Sequence, residues 1–568
     1  MIRRRRAAVP ATAEYQFAAH ERPTMPGSPA NPAHPGGRRI AYFAIGILIG
    51  ITGGLGNALV GVNLNFAQGT LGLDSDQAAM LTAVYLMTNT TANLLLVKYR
   101  QQFGLQPFIR YMLPIYAAAT MLHLVAHGFW SSIAVRAASG FSASAMSTLT
   151  LLYIMQSMSA PKRLAGVMMG ISVPQLAMPL ARALSPGLLV SGDWHMLYWC
   201  ELGLTLASLA AIMSLPLPPS ERTKSFEKGD FLTFALLAPG LWLLIAVLTE
   251  GRIEWWTERA WMGWGLAASL VLVGTALLIE TRRANPLINV RWLGTREMMR
   301  LILVAIAVRI LLSEQAFGSV GLLTALGMIN DQMVTLNIVI IIASIAGIVT
   351  AVFSFDPADP SRAITLAVLL IALGAFMDAS ATSLSRPSSF YLSQALIGFA
   401  SMLFLAHAMV IGISRTLLAG PKHFVSFVVL FGLSQSLGGI AGTALLGTFQ
   451  IVREKFHSHE LVQSIVLTDP LVAARVRGTG ASVANVIGDP TLTNAEGAAL
   501  LARTVSREAN VLAFNDVFLL IGVLAILTFL WSLSIRASIR RRGETSPVIQ
   551  LQQRSQAAAA AAAEESTR

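Results

Sequence analysis

Long apolar runs separated by short polar stretches fill most of the 568-residue chain. Fourteen of these runs are long enough to cross a bilayer as tilted helices, which need about 20 mostly apolar residues each. Within each run the apolar residues are continuous rather than alternating, which excludes the strands of a membrane barrel. We therefore predict an all-α polytopic membrane protein whose segments 1 to 14 occupy residues 40–64, 77–97, 111–130, 132–155, 164–190, 196–215, 231–248, 261–279, 299–328, 333–353, 363–382, 390–413, 424–450 and 517–535.

The composition excludes an ordinary water-soluble enzyme. Hydrophobic residues make up 54% of the chain and charged residues only 12%, whereas a soluble domain usually carries about 25% charged residues. The sequence has no Walker-type G-x-x-x-x-G-K motif, and its single cysteine, Cys200, leaves no partner for a disulfide or a Cys metal site. We expect a protein that is not an enzyme and needs no cofactor and no metal.

The basic residues indicate the orientation in the membrane. The formal net charge is +12, but Lys and Arg collect at the chain ends and in the loops after even-numbered segments, so the charge predicts no nucleic-acid partner. The short loops on the other side offer only Arg252, Arg259 and Arg386. By the positive-inside rule both termini lie in the cytoplasm. The basic residues after even-numbered segments are Lys98, Arg100, Arg110, Lys162, Arg163, Arg222, Lys224, Lys228, Arg282, Arg283, Arg291, Arg296, Arg362, Arg415, Lys422 and Arg540 to Arg542.

Polar and charged residues within the first six segments are candidate functional groups, because charges inside a bilayer are costly and rare. Asn57, Arg136, Arg182 and Glu201 fall at comparable depth when about 1.5 Å of rise is counted per residue. We expect them to form one buried polar layer. Two arginines against one glutamate suit an anionic substrate, a water-filled cavity or an unseen carboxylate partner. The alternative is that one or both arginines extend to the lipid headgroups.

The later segments contain a second set of ionisable residues. Glu314 lies near the middle of segment 9 and is our preferred proton carrier, the alternative being a structural ion pair. Arg309, five positions earlier, lies on a different face of the helix and need not contact it. Asp378 is a second candidate for coupling, although its place near a segment end also suits a hydrated side chain. His407 is placed to relay protons or simply to pack.

Neutral polar residues predict where the helices face a cavity. Segment 2 is unusually polar and includes Asn89 and Asn93, which indicates that it faces a cavity or another helix rather than lipid. Gln394 and Gln435 add hydrogen-bonding groups in segments 12 and 13. Segment 5 contains three prolines, which remove helical hydrogen bonds and predict a bend: Pro174, Pro179 and Pro186.

One long polar stretch, residues 452–516, faces outward. Its apolar residues recur at helical spacing around Leu461, Ile465, Leu500, Leu501 and Val505. It is the only outward segment large enough to fold or to dock a partner.

Several motifs resemble the major facilitator superfamily, and within it the fourteen-span drug:proton antiporters of the EmrB type. Arg136-Ala137-Ala138-Ser139-Gly140 is similar to the family's R-x-x-Q-G motif. Residues 279–296 resemble the family's link between spans 8 and 9. Gln394-x-x-x-Gly398 and residues 513–518, which read Ala-Phe-Asn-Asp-Val-Phe, are the most family-specific. The resemblance covers residues 40–535 and implies a role for Arg136 in proton coupling.

The resemblance also implies a domain organisation and partners. The major facilitator fold with 14 transmembrane helices places six, two and six helices in order, in the bacterial inner membrane. The implied units are a cytoplasmic tail (1–39), a first bundle (40–216), two inserted helices with a linker (217–298), a second bundle (299–535, with a periplasmic loop at 452–516) and a cytoplasmic tail (536–568). Pumps of this type work with a HlyD-type periplasmic adaptor and a TolC-type outer-membrane channel, so residues 452–516 are the implied docking surface.

Three departures indicate a divergent member. The place of the usual acidic residue in span 1 reads Leu55-Gly56-Asn57. The loop at 97–104 keeps only the final glycine of G-x-L-A-D-R-x-G. Residues 181–186 read Ala-Arg-Ala-Leu-Ser-Pro instead of the G-P-x-L-G-G antiporter motif.

The main functional hypothesis is a proton-coupled exporter of small amphipathic or anionic organic compounds that works by alternating access. A facilitator or importer on the same fold is the first alternative. A non-transporting membrane scaffold or sensor is the second, and the costly charges within the segments speak against it.

Overall fold

The computed structural model describes residues 21, 23, 27–159, 162–190, 192–420, 423–486 and 488–567, with side chains through residue 557. Most of the predicted N-terminal tail, including Arg3 to Arg6, lies outside the described residues, as does Lys422 of the loop after segment 12.

Fourteen helices of the described chain are long and apolar enough to cross a membrane, which confirms the predicted number. We call them spans 1 to 14. Their bounds are Gly36–Val62, Ser75–Phe103, Leu105–Val125, Phe129–Ser157, Arg163–Leu188, His195–Ser214, Lys228–Trp255, Ala260–Arg282, Arg296–Ala325, Asn330–Phe353, Ser361–Asp378, Pro387–Ala419, Phe424–Gln463 and Pro490–Arg541.

The polar stretch 452–516 is mostly helical rather than a loop between membrane segments. Span 13 continues to Gln463, and span 14 already begins at Pro490, where the Asp489 side chain accepts a hydrogen bond from the Thr491 N–H at 2.8 Å. A further helix, Pro470–Ala481, packs on span 14. Polar composition marks where a helix leaves the membrane, but it does not end the helix. We call residues 451–516 the extension, and the end of the molecule that carries it the extension face.

Spans 1–6 form one bundle and spans 9–14 form a second. The first surrounds a core that includes Tyr42, Phe108 and Leu149. The core of the second bundle includes Val308 of span 9, Phe404 of span 12 and further residues of spans 11 to 14. Both described chain ends lie opposite the extension, at the end of the molecule that we call the terminus face.

Span 7 packs between the two bundles. The indole N–H of Trp242 donates to the Met87 carbonyl at 3.0 Å and to the Thr91 hydroxyl at 3.1 Å, both in span 2. Ile245 of span 7 belongs to the same apolar cluster as residues of span 2 and of span 13, including Leu437. Span 7 therefore contacts both bundles at once.

An ion network fastens spans 7 and 8 to span 2 at the terminus face. The Lys98 ammonium lies 2.8 Å from Asp230, and Arg283 lies 2.9 Å from Asp230 and 2.7 Å from Glu280. Burial alone would lower the pKa of Arg283, but its hydrogen bonds to Glu280, Asp230 and Glu227 outweigh burial and raise the pKa above its usual range. The guanidinium therefore stays charged and holds the network together.

Spans 5 and 9 depart from the regular α-helix well away from their ends. Span 5, in which three prolines predict a bend, is interrupted by a 3-10 turn at Val173–Leu176, which contains Pro174. Span 9 widens into a π-helical turn at Glu314–Ser319. Such turns often occur at functional sites because they re-aim a side chain out of the regular helical spacing.

Candidate functional site

A polar cluster at Arg136 lies inside the first bundle. The Arg136 guanidinium donates to the Asn57 side-chain oxygen at 2.5 Å, to the Gly56 carbonyl at 2.9 Å and to the Leu81 carbonyl at 3.1 Å. It also lies 4.5 Å from the centre of the Tyr85 ring. Only 1% of Arg136 is exposed, so it does not extend to the headgroups.

Glu201 joins Asn57 and Arg136 through a neighbouring tyrosine, and we call these three residues of the first bundle the N-bundle cluster. The Tyr116 hydroxyl donates to the Glu201 carboxylate at 3.0 Å, and Glu201 is 1% exposed. One buried cation and one buried carboxylate thus lie in the same cluster, together with neutral donors and acceptors. Three of the four residues expected in one layer, namely Asn57, Arg136 and Glu201, are indeed together.

Arg182 is not part of that layer. Its guanidinium donates to the Asn330 side-chain oxygen at 3.3 Å. Asn330, at the start of span 10, in turn donates to the Val62 carbonyl at 3.2 Å and to the Asn63 side chain at 3.1 Å. Arg182 therefore belongs to a contact between the two bundles near the extension face. The rise per residue does not give the direction in which a side chain points, and so it did not predict this contact of Arg182.

A second cluster, which we call the C-bundle cluster, lies in the second bundle and consists of Glu314, Asp378 and Gln394. The Gln394 side-chain amide donates to the two Glu314 oxygens at 2.9 and 3.0 Å and to Asp378 at 2.8 Å. Glu314 and Gln394 are fully buried, and Asp378 is 3% exposed. The expectation of a hydrated Asp378 is wrong, because the first turns of span 12 cover it.

No basic side chain of the described residues forms a salt bridge with either carboxyl group of this C-bundle cluster. The alternative of a structural ion pair at Glu314 is therefore not observed in the described chain. Arg309 points elsewhere, and its Nε donates to the Gln435 carbonyl at 3.0 Å, as the difference in helical face predicts. Two buried acids that share a neutral amide form a site that holds a proton more readily than two negative charges.

The two clusters occupy matching places in the two bundles. Arg136 and Gln394 are each followed by a glycine four residues later and lie at the same distance from the start of spans 4 and 12. Asn57 and Glu314 are also each followed by a glycine four residues later, in spans 1 and 9. Arg136 donates a hydrogen bond to Asn57, and at the matching positions Gln394 donates to Glu314. The internal repeat was visible in the sequence, yet sequence reasoning did not use it to pair Glu314 with Gln394.

A cavity of about 240 Å³ lies between the bundles. Charged and polar side chains at its wall come from both bundles and include Arg182, Arg309, Gln315 and Gln435, and Asn57 also lines it. Apolar residues such as Phe404 complete the wall. Sequence reasoning missed Gln315, whose side chain lies 3.4 Å from that of Gln394 and so links this cavity to the C-bundle cluster.

A second cavity, of about 230 Å³, continues from the first toward the terminus face. The two share Gln175, Leu405 and Gln435 as lining residues. Asn89 and Asn93 line the second cavity, as the polarity of segment 2 predicts. Together the two cavities follow the interface between the bundles.

Two of the expected cavity residues do not line either space. Gln394 is buried in the C-bundle cluster. The His407 Nδ1–H donates to the Leu403 carbonyl at 2.8 Å, and the ring lies 5.6 Å from that of Phe355. This environment is the packing alternative that the sequence allowed for His407.

The bundles contact each other at both ends of this path. Near the extension face, Arg182, Asn330 and Asn63 connect the bundles. Near the terminus face, Met155 and Met168 of the first bundle share an apolar core with Met409 and Phe424 of the second.

A helical membrane protein with two bundles around a central polar path has the architecture of a secondary transporter. The family model of the Major Facilitator Superfamily matches residues 46–443. The chain belongs to this superfamily of membrane transporters. No curated protein matches the sequence, and the resemblance to the EmrB type stays a prediction.

Solved structures confirm the fold. The crystal structure of the human organic anion transporter MFSD10 (TETRAN) is similar with a TM-score of 0.52 and 16% identity, over 87% of this chain and 100% of that chain. A bacterial homologue of the human drug peptide transporters PepT1 and PepT2 has a TM-score of 0.53 and 14% identity, over 89% and 99%. A peptide transporter POT in complex with sulfate has a TM-score of 0.52 and 14% identity, over 90% and 95%.

Proposed function

We propose that the protein is a proton-coupled secondary transporter that exports small amphipathic or anionic organic compounds across the bacterial inner membrane, with both termini in the cytoplasm. The proposal depends above all on one observation, the pair of buried carboxyl groups of Glu314 and Asp378 bridged by Gln394. Proton gain and loss at this pair would be the coupling step.

The geometry of Gln394 explains how the pair could hold a variable number of protons. An amide NH₂ group has two hydrogens, and here one faces Glu314 and the other faces Asp378. These two donors stabilise a carboxylate on each side, while the lack of a basic partner in the part of the chain that the structure describes disfavours two negative charges. The two carboxyl groups together thus favour one bound proton, and a change in solvent access to them would change the number of protons that they bind.

The position of the pair suits coupling to movement of the bundles. Glu314 begins the π-helical turn of span 9, and the neighbouring Gln315 lines the central cavity and contacts Gln394. A change of charge at Glu314 therefore acts one residue away from the cavity wall. In an alternating-access cycle, protonation would favour one arrangement of the bundles and deprotonation the other.

The test is flux driven by a pH gradient in proteoliposomes. We would measure transport of three compounds with the same ring and different charge: 2-naphthoate, 2-naphthamide and 2-naphthylmethylammonium. We expect flux of at least one compound to follow the gradient in the wild type and to lose that dependence in Glu314→Gln and Asp378→Asn.

The matched control is Glu258→Gln, because Glu258 is an exposed acid outside the cluster. It should transport like the wild type. Flux that responds to the gradient equally in Glu314→Gln and the wild type would remove Glu314 from the mechanism. If no compound responds to the gradient in the wild type, the proposed proton coupling is wrong. The direction of flux in inverted vesicles separates export from import.

We also propose that the extension docks a HlyD-type periplasmic adaptor, which would connect to a TolC-type channel. Supporting this, the extension carries apolar side chains at its tip that are largely exposed, with Leu467 at 70%, Leu471 at 80% and Val486 at 88%. Replacing these three with Ser leaves the helices intact, and we expect it to abolish crosslinking to a co-expressed adaptor. Unchanged crosslinking would contradict the proposed docking site.

A further inference from the structure

We infer that the substrate is an organic anion, held and passed along by three arginines that line the path between the bundles and have no acidic partner among the described residues. The three are Arg182, Arg309 and Arg100. The inference builds on the proposed role as a transporter and names its substrate class and binding residues.

The three arginines lie at successive levels of the path. Arg182 is near the extension-face end of span 5, Arg309 is near the middle of span 9, and Arg100 is near the terminus-face end of span 2. Arg182 and Arg309 line the first cavity, and Arg100 lines the second. They come from both bundles, so a ligand between them would contact both moving parts.

None of the three forms a salt bridge with a described residue. Arg182 has one hydrogen bond, to the neutral Asn330 side chain. Arg309 donates its Nε to the Gln435 carbonyl, and no hydrogen bond joins its terminal nitrogens to another described residue. These terminal nitrogens are the donors that form paired hydrogen bonds with carboxylate, sulfonate or phosphate groups.

Arg100 is the most informative of the three. It is 5% exposed, and its buried Nε has no hydrogen-bond partner among the described residues. A buried guanidinium usually has its donors satisfied, so an unsatisfied one at a cavity wall indicates a missing acceptor. An anion in the second cavity would supply that acceptor.

Arg136 shows that the chain can satisfy a buried guanidinium with its own residues. Arg136 has three hydrogen bonds and an aromatic face, and Glu201 lies in the same cluster. It lines neither of the two cavities. Arg182, Arg309 and Arg100 differ from Arg136 in lining the cavities and in keeping donors without an acceptor among the described residues, and Arg415, which lines neither cavity, also has a buried Nε without such an acceptor.

The cavity sets limits on the ligand. Its volume of about 240 Å³ is below the roughly 300–1,000 Å³ of pockets for drug-sized ligands. Met178, Leu312, Ile340 and Phe404 line it beside the arginines. The site therefore fits a small compound with an apolar body and one anionic group, such as an aromatic carboxylate.

The test is equilibrium binding to the full chain in phosphatidylcholine nanodiscs at one fixed pH, which requires no gradient and offers no anionic lipid as a competitor. We expect 2-naphthoate to bind at least about tenfold more tightly than 2-naphthamide, because the amide has no negative charge and only one of the two oxygens that accept from a guanidinium. We expect 2-naphthylmethylammonium not to bind. Arg309→Gln and Arg182→Gln should each weaken naphthoate binding by about tenfold or more, whereas Arg309→Lys should retain part of it.

Arg386→Gln is the control, since Arg386 lies in an exposed loop and donates only to the neighbouring Ser385 carbonyl. If an arginine variant does not remain folded, competition by 2-naphthalenesulfonate on the wild type still decides, because that compound shares only ring and negative charge. Equal binding of the three naphthalene compounds, unchanged binding in the arginine variants, or no saturable binding of any anion would overturn the inference. Binding of naphthoate without gradient-driven flux would contradict the proposed proton coupling and leave the anion site standing.

Discussion

The two polar clusters use the same positions in the two bundles and reach opposite electrostatic solutions. In the N-bundle cluster the donor is Arg136, and its charge is balanced by Glu201 in the same cluster. In the C-bundle cluster the donor is the neutral Gln394, and two carboxyl groups face it. An amide at the position that a guanidinium takes in the other bundle thus accompanies two buried carboxyl groups in place of one. Under the proposed function, the second bundle is the one that responds to protons and the first is not.

The largest effect is expected when the N-bundle cluster is given the same amide that the C-bundle cluster has. Arg136→Gln leaves Glu201 buried without a cation, and we expect a loss of about 3–5 kcal/mol in unfolding free energy. Thermal unfolding in detergent would measure it. The double variant Arg136→Gln, Glu201→Gln should recover most of the loss. If the single variant is as stable as the wild type, the cluster is not held by charge balance.

The reverse exchange tests the C-bundle cluster. Gln394→Arg places a permanent cation between Glu314 and Asp378, which should keep both acids ionised. We expect gradient-driven flux to fall at least about tenfold, equivalent to roughly 1.4 kcal/mol in the barrier. Gln450→Arg is the control, because Gln450 is a buried glutamine that contacts Asn510 outside the cluster. Unchanged coupling in Gln394→Arg would separate Gln394 from proton movement.

A smaller change tests whether the missing acid of span 1 matters. Asn57→Asp places a carboxylate against Arg136 and converts a neutral hydrogen bond into a charge-assisted one. We expect a gain of about 1 kcal/mol in unfolding free energy and no change in the pH dependence of flux. Asn494→Asp, at an exposed position of the extension, is the control. A change in the number of protons moved per substrate would show that both clusters can be coupled.

The smallest effect is expected at an ion pair outside the membrane. Asp359 lies 2.6 Å from Arg536 and 2.9 Å from Arg540, with 20% of its side chain exposed. Burial alone would raise the pKa of Asp359, but its hydrogen bonds to these arginines and their charges outweigh burial and lower it. A lowered pKa stabilises the folded state above the unfolded pKa of about 3.9, and the contribution disappears as the pH falls through the folded value.

For this pair we expect Asp359→Asn to cost under about 1 kcal/mol at pH 7, and the difference from the wild type to shrink below pH 4. Unfolding by denaturant at several pH values would measure it, with Asp356→Asn as the control. A difference that grows as the pH falls would contradict this account. Asp359 thus gives the reference behaviour of an ordinary paired acid, against which the unpaired acids of the C-bundle cluster are compared.

Depth in the membrane could be predicted from the sequence, but direction and pairing could not. Counting residues from the segment ends brought Asn57, Arg136 and Glu201 to one level, and they do lie together. The same count misplaced Arg182, because a helix position fixes height and leaves the neighbour to packing. Asp378 was judged from its distance to a segment end, whereas the cover that buries it comes from span 12, which is remote in sequence.

The extension shows the same limit at the level of helices. The apolar spacing within residues 452–516 indicated helical content, but hydropathy placed the start of segment 14 at Val517 rather than Pro490. Hydropathy reports the surrounding solvent, and a helix can pass from lipid to water without interruption. The cap at Asp489 and the proline that follows it were the local signals for the true start.

Spans 13 and 14 run without a break from the membrane into the extension, so each forms one stiff connection between the two. At 1.5 Å per residue, the part of span 14 before Val517 is about 40 Å long. A small tilt of the second bundle would therefore swing the tip through a much larger arc than the ends of the other helices. Any protein bound to that tip would be displaced by this movement in each transport cycle.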